Sequence, residues 1–325
     1  MSAPSPQISV LMPVGAERSY LAMAARSVLE QSLGDLELMV IDDADGFDEC
    51  ARLTGAAADS RVRVISNRTG PGLANALNVA LENCRGKIVC LCDADDLYPA
   101  DRLARQARFL GEHPEYGAMA GGMETLTPKG TSIAWLHGEA SDGEITAELR
   151  NAITRTSLCT YATRRETFLA NAPFRNFFVT SPDIDFQLRL GERCRVWFDP
   201  AIVYRWRLHD TSMTHTQTNN RRAFYEATAK EFQKQRRARG YDDLEKGNPP
   251  TPPAGDSAGS ALETRQQTQQ MLMGASWREH RAGRKQKAID LGFRAALARP
   301  TSLGAWKSVA LLVLKRAGKQ DAAVK

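Results

Sequence analysis

Over the first 115 or so positions, short β-type apolar runs alternate with stretches in which apolar residues recur at helical spacing. Residues 8–14 form the first run, and residues 19–31 follow it with Leu21, Ala24, Ala25, Val28 and Leu29 on one helical face. The same reading predicts strands over 36–41, 62–65 and 87–92, and helices over roughly 45–58, 72–84 and 100–112. Strands separated by helices of 10 to 15 residues imply a largely parallel sheet covered on both faces, and such sheets bind ligands beyond the carboxyl ends of their strands.

Beyond about residue 115 the alternation loosens, with turn signals at Gly121-Gly122 and Thr127-Pro128-Lys129-Gly130. The Pro- and Gly-rich stretch around 248–260 reads as a linker. Residues 261–325 have helical composition, enough for two or three amphipathic helices with a break at Arg299-Pro300. The expected organisation is a first half over 1–125, a second half over 126–244, a linker over 245–260 and a helical extension over 261–325.

Composition narrows the class. The 325 residues are 42% hydrophobic and 25% charged, which suits a globular chain with one large or two modest cores and excludes disorder throughout. No run approaches the roughly 18 apolar residues of a membrane-spanning helix, and the first residues lack the pattern of a secretory signal, so the expected location is the cytosol. None of the six cysteines stands in a CxxC pair, which disfavours structural zinc and disulfide frameworks. The net charge of +5 conceals an asymmetry: residues 221–325 hold 21 basic against 10 acidic residues, whereas residues 1–220 carry an acidic surplus.

Part of that acidity stands at strand ends. Val40-Ile41-Asp42-Asp43 and Cys90-Leu91-Cys92-Asp93-Ala94-Asp95-Asp96 would converge on one edge of a parallel sheet. A single acidic pair there is as readily a turn or cap as a site, but two clusters on one edge favour a site. An Asp-x-Asp at a strand end suits Mg²⁺ or Mn²⁺, which take hard oxygen ligands and leave positions for substrate phosphates. The chain has no GxxxxGK[ST] loop, and Gly70-Pro71-Gly72 is not a dinucleotide fingerprint. A third acidic group, Asp183-Ile184-Asp185, precedes an apolar helical run and can both start a helix and present a general base to a cleft.

In order and spacing, these motifs resemble family 2 glycosyltransferases. The likeness runs through Ser9-Val10-Leu11-Met12-Pro13-Val14, Leu36 to Asp43, Gly72 to Asn78, Asp93-Ala94-Asp95-Asp96 and the stretch from Pro99 to Gly122 with Arg102 and Gln106, and it covers roughly residues 7–215. It implies an α/β fold of GT-A type, a Rossmann-like central sheet flanked by helices, here with a C-terminal α-helical extension. It also implies inverting transfer of a sugar from a nucleotide-sugar, usually a UDP-sugar, to an acceptor hydroxyl in envelope or surface glycan synthesis. Residue by residue, Pro13, Val14, Asp42, Asp43, Asn78 and Asp93 fall in the donor-binding segments. Asp95 matches the metal ligand and Asp183 the general base. Arg207, His209 and Ser212 match a later Arg-x-His-x-x-Ser pattern, with Arg207 and His209 near diphosphate and metal. The implied cofactor is Mg²⁺ or Mn²⁺, and the implied partners are a nucleotide-sugar and a glycan or lipid-linked acceptor.

Three departures from the family pattern stand out. Gly15-Ala16 replaces a usual aromatic-Asn pair, Pro182 replaces a usual Glu, which makes Asp185 a secondary candidate beside Asp183, and Gln187 replaces a commonly aromatic position. Two other readings compete: a nucleotidyltransferase, which would want a basic Gly-rich loop where the chain offers only Arg18, and a degenerate transferase that binds sugars or partners without turnover. The basic run from Arg278 to Lys287, followed by the apolar stretch Trp306 to Leu314, reads first as a solvated helical add-on and second as a peripheral contact with an anionic membrane. Nucleic acid is not expected as a partner, because no recognised motif accompanies the charge.

Overall fold

The computed structural model describes residues 5–136, 140–209, 219–253 and 261–318. In chain order its elements are β1 (Ile8–Val14), α1 (Leu21–Leu29), β2 (Leu36–Asp42), α2 (Phe47–Thr54), β3 (Val62–Ser66), α3 (Leu73–Asn83), β4 (Ile88–Leu91), α4 (Arg102–Glu112) and β5 (Tyr116–Leu126). There follow β6 (Ser132–Leu136), β7 (Gly143–Glu144), α5 (Thr146–Arg150), a 3-10 turn (Leu158–Thr160), β8 (Ala162–Arg164), α6 (Arg165–Ala170), α7 (Pro182–Arg193) and β9 (Arg195–Arg207). The last elements are α8 (Asn219–Arg239), α9 (Ala261–Arg281), α10 (Lys285–Ala298) and α11 (Leu303–Leu314). The eight elements predicted over the first 112 residues are all present, and the break at Arg299-Pro300 separates α10 from α11.

The described residues fall into two compact units, the first drawn from 5–123, 140–206 and 219–253, and the second from 124–136, 207–209 and 261–318. The sheet runs β3-β2-β1-β4-β8-β5-β9-β7, with β6 pairing β5 off that path. Strands β1, β2, β3 and β4 are parallel, with Val14 opposite Asp42 and Leu11 opposite Leu91, whereas β8 is antiparallel to β4 and β5. The carboxyl ends of the four parallel strands therefore share one edge, where the acidic clusters stand. Every residue of β2 is buried, as expected of a central strand covered on both faces.

One of those buried residues is Glu37. Its carboxylate accepts from Ser9 Oγ at 2.6 Å, from the Arg85 backbone N–H at 2.8 Å and side chain at 2.8 Å, and from Arg63 Nη1 at 3.1 Å. Ser9 Oγ in turn accepts from Gly86 N–H at 2.7 Å, and a Cβ on Gly86 would lie 2.3 Å from Ser9 N, so this crossing of chains needs glycine. Burial alone would raise the Glu37 pKa, but the hydrogen bonds from Ser9, Arg85 and Arg63 outweigh it and hold the carboxyl below its ordinary 4.5. A folded-state pKa below the unfolded one contributes stability above the unfolded value, and that contribution is lost as pH falls through the folded value. Glu37→Gln is therefore expected to cost on the order of 2–3 kcal/mol at pH 7. In urea titrations at successive pH values, the gap to the unmodified protein should narrow below about pH 4.5.

In the second unit, Leu208 N–H donates to Leu126 O at 2.9 Å, and the 127–131 turn closes through Thr127 N–H to Thr131 O at 2.8 Å. Arg294 Nη2 reaches Ser132 O at 2.7 Å, joining α10 to β6. Ala296, Ala305 and Val309 are buried together against Met273, which packs α9, α10 and α11 into one layer.

Candidate active site

Within the first unit the strand edge gathers three acidic groups. Asp42, at the end of β2, is buried and organises the loop that follows: its carboxylate accepts from Gly46 N–H at 2.8 Å, Ala44 N–H at 3.3 Å and Arg18 Nη2 at 3.2 Å. Asp43 faces the other way and accepts from Asn67 Nδ2 at 2.5 Å and Gly72 N–H at 2.9 Å. Asn67 Nδ2 and Asn75 Nδ2 both donate to Gly70 O, at 2.8 and 3.0 Å, so the 67–75 loop is built on Asp43 and two asparagines. Gly72 sits at φ 125°, a conformation that suits glycine, and its N–H is the group that meets Asp43. Pro13 is half-buried and Val14 fully buried at the end of β1. A cleft of about 500 Å³ beside this corner is lined by Arg18, Asp42, Gly46, Phe47 and Ser66 among others, and the Phe47 ring is 44% exposed.

Beyond β4, Asp93 and Asp95 are half-buried and Asp96 is fully buried. Asp93 N–H donates to Tyr204 Oη on β9 at 3.0 Å, and Cys159 Sγ, from the 3-10 turn, donates to Asp93 Oδ2 at 3.3 Å. Burial, reinforced by the charges of Asp95 and then Asp183 and opposed by the Cys159 and Tyr204 contacts, pushes the Asp93 carboxyl up to about 7. Burial and the Asp93 charge likewise drive the Cys159 thiol well above its usual value, which keeps the proton it donates. Beneath the turn lies Arg102, fully buried, with its guanidinium 3.8 Å from the Tyr98 ring centroid and Nη2 donating to Cys159 O at 2.6 Å. Gln106 completes the support, accepting from Arg102 Nε at 3.0 Å and donating to Thr160 O at 2.8 Å.

Asp183 comes to the same region on the first turn of α7. Ser181 adopts left-handed φ 56°, Pro182 occupies the start of the helix where no N–H is needed, and Asp183 follows. Burial raises the Asp183 pKa against the pull of Arg222 and of the backbone N–H groups of Asp183 and Ile184. Asp185, two residues on, is held differently. It is completely buried, paired with Arg175 and with Arg189 Nε at 3.0 Å, while Arg175 and Arg236 share Asp242 at 2.5 and 2.6 Å. Removing the Asp185 charge leaves the buried Arg189 without its carboxylate and Arg175 with Asp242 alone, so Asp185→Asn should lower stability by about 3 kcal/mol or more in chemical denaturation, a loss of fold rather than of chemistry.

The structure thus brings together Asp93, Asp95 and Asp183, with Asp42 and Asp43 at the adjoining corner of the same unit. Asn78 is committed elsewhere: its Nδ2 donates to Phe174 O at 2.9 Å and its Oδ1 accepts from Phe174 N–H at 2.8 Å, clamping α3 to the segment before α7. Arg207 and His209 are buried in the second unit, where Arg207 Nη1 donates to Pro128 O at 2.9 Å, and Ser212 lies outside the described residues. Cys159, Tyr204 and Arg222 are additions that no local pattern announced, because each reaches the edge from a distant stretch of chain. Arg102 and Gln106 carried part of the family resemblance, and the structure shows why those residue types stand there.

Among the described residues no group of three or more His, Cys, Asp or Glu could by itself hold a metal ion. The donor chemistry still fits Mg²⁺ or Mn²⁺: carboxylate oxygens of Asp93 and Asp95 crowd with Asp183, a surplus of negative charge that a divalent cation would offset, and few protein ligands leave room for phosphate oxygens.

Residues 9–154 match the model of glycosyl transferase family 2. The Bacillus subtilis protein EpsE is 35% identical over 120 residues, covering 36% of this chain and 43% of its own. The Escherichia coli UDP-Glc:alpha-D-GlcNAc-diphosphoundecaprenol beta-1,3-glucosyltransferase WfgD is 31% identical over 103 residues, 32% of this chain and 40% of its own. The aligned stretch thus spans less than half the length of these curated relatives. Among solved structures, TarS 1-349 of S. aureus in complex with UDP-GlcNAc superposes with a TM-score of 0.57 at 15% identity, covering 94% of this chain and 79% of that one. At that identity the likeness establishes the fold, a GT-A sheet flanked by helices.

Proposed function

We propose, from the match of residues 9–154 to the glycosyl transferase family 2 model and the GT-A fold, that the chain transfers a sugar from a nucleotide-sugar to an acceptor hydroxyl with inversion at the anomeric carbon. The observation that carries this reading is the meeting of Asp93, Asp95 and Asp183 at the carboxyl edge of a parallel sheet.

In this reading the donor lies along the strand ends. The nucleoside enters the cleft of Arg18, Asp42 and Phe47, where the exposed Phe47 ring offers the aromatic face that Gly15-Ala16 does not. Asp93, fixed by Tyr204 and Cys159, holds the ribose end of the donor. A divalent cation bound at Asp95 would supply positive charge to offset the departing diphosphate. Asp183, on a rigid helix start, takes the acceptor proton as the acceptor oxygen bonds to the anomeric carbon from the face opposite the leaving group. The carbon–oxygen bond to the diphosphate breaks, and the nucleoside diphosphate leaves with the electron pair.

The donor nucleotide is proposed to be UDP, in keeping with the bound nucleotide named for TarS and the donor named for WfgD. The acceptor is proposed to be a lipid-linked or envelope glycan, in keeping with the GlcNAc-diphosphoundecaprenol acceptor named for WfgD. The test of inversion is the anomeric configuration of the product. With an α-linked donor, proton NMR of the purified product should show a β-linkage, and an α-linkage would overturn the single-displacement reading.

A further inference from the structure

Helix α11 has twelve residues and a single charge, Lys307. A helix apolar on all sides is normally buried. Here Ala305, Val309 and Leu312 are buried, while the opposite face lies open: Leu303 is 75% exposed, Leu314 79%, and Trp306, Leu311 and Val313 are each more than a third exposed. The open surface continues onto α10 through Phe293, whose ring lies 6.2 Å from that of Trp306, and through Leu297, 63% exposed. Trp306 is pinned at the rim by its indole N–H, which donates to Pro300 O at 2.9 Å.

The charges around this surface are predominantly of one sign. Residues 285–318 hold seven Lys or Arg and one acidic residue, Asp290. Arg299, Lys307, Lys315 and Arg316 lie within or beside the apolar stretch. A second copy of the same surface would bring like charges together, whereas an anionic surface with an apolar interior complements both properties. At 1.5 Å per residue α11 is about 18 Å long, short of the roughly 30 Å hydrocarbon core, so it can lie in the interface but not cross it. We propose that the outer face of α10 and α11 seats on an anionic lipid bilayer, with Leu303, Trp306, Leu311 and Leu314 entering the acyl boundary and Arg299, Lys307, Lys315 and Arg316 meeting the headgroups.

This inference stands on the second unit alone and does not depend on the transferase reading. The test uses the full chain and vesicles of phosphatidylglycerol and phosphatidylcholine in equal parts. The protein should sediment with them, partition at least about tenfold more weakly onto pure phosphatidylcholine, and be released by high salt. Brominated lipid should quench fluorescence, and Trp306→Phe should remove most of that quenching. Leu303→Ser combined with Leu314→Ser alters only exposed positions, so melting should be unchanged while partitioning falls at least about tenfold. Absence of vesicle binding, binding indifferent to these substitutions, or a concentration-dependent dimer that the double substitution dissolves without any vesicle binding would each overturn it.

Discussion

Asp183→Asn should leave nucleotide-sugar binding close to that of the unmodified protein and reduce transfer by about 10³ to 10⁴, toward the upper end of what general base catalysis contributes. The expectation follows from how α7 begins. Asn keeps the size of the side chain and can accept from the backbone N–H groups that approach Asp183, so the helix start and its Ser181-Pro182 entry should survive. What it removes, in the proposed mechanism, is the acceptor for the substrate proton. Steady-state kinetics with a chosen acceptor separate the two effects: a fall in kcat with an unchanged donor KM supports the assignment. Unchanged transfer would move the base elsewhere. Asp185 is a poor substitute, because its oxygens are occupied by Arg175 and Arg189.

A loss of comparable size is expected at Asp95. Asp95→Ala should abolish the dependence of donor binding on Mg²⁺ or Mn²⁺ and lower transfer by about 10³, the scale of several kcal/mol of charge stabilisation at a leaving group. The residue is half-buried at the strand edge and is not part of the apolar core, so thermal melting without metal should change little. Added Mn²⁺ with UDP should raise the melting temperature of the unmodified protein and not that of the variant. A variant that retained metal-dependent turnover would place the cation on other ligands.

The first four strand–helix alternations were legible because each element carries its own period: Leu21 to Leu29 at helical spacing, residues 36–41 as a continuous apolar run. The strand-edge acids were legible for the same reason, since a parallel sheet puts every strand's carboxyl end on one side. The later elements were not. β7 has two residues and β8 three, too short for any periodicity, and both are held by antiparallel pairing with partners far along the chain. The same distance hid Tyr204, which reaches Asp93 across 111 positions, and Cys159 across 66. Sequence put Asp183 ahead of Asp185 only through the family resemblance, with no physical reason to prefer one. They differ by the arginines that surround one of them, which come from Arg175, Arg189 and, through Asp242, Arg236. Asn78 illustrates the converse: a polar residue within a family motif whose amide is spent on the Phe174 backbone.

This acidic strand edge is proposed to bind a nucleotide-sugar together with a divalent cation. Calorimetric titration of the full chain with a panel of UDP- and other nucleotide-sugars, each with Mn²⁺, with Mg²⁺ and with chelator, tests it directly. The account predicts at least one donor that binds with metal and binds at least about tenfold more weakly without it. If no donor binds in the presence of either metal, or if binding is the same with chelator, the account is contradicted.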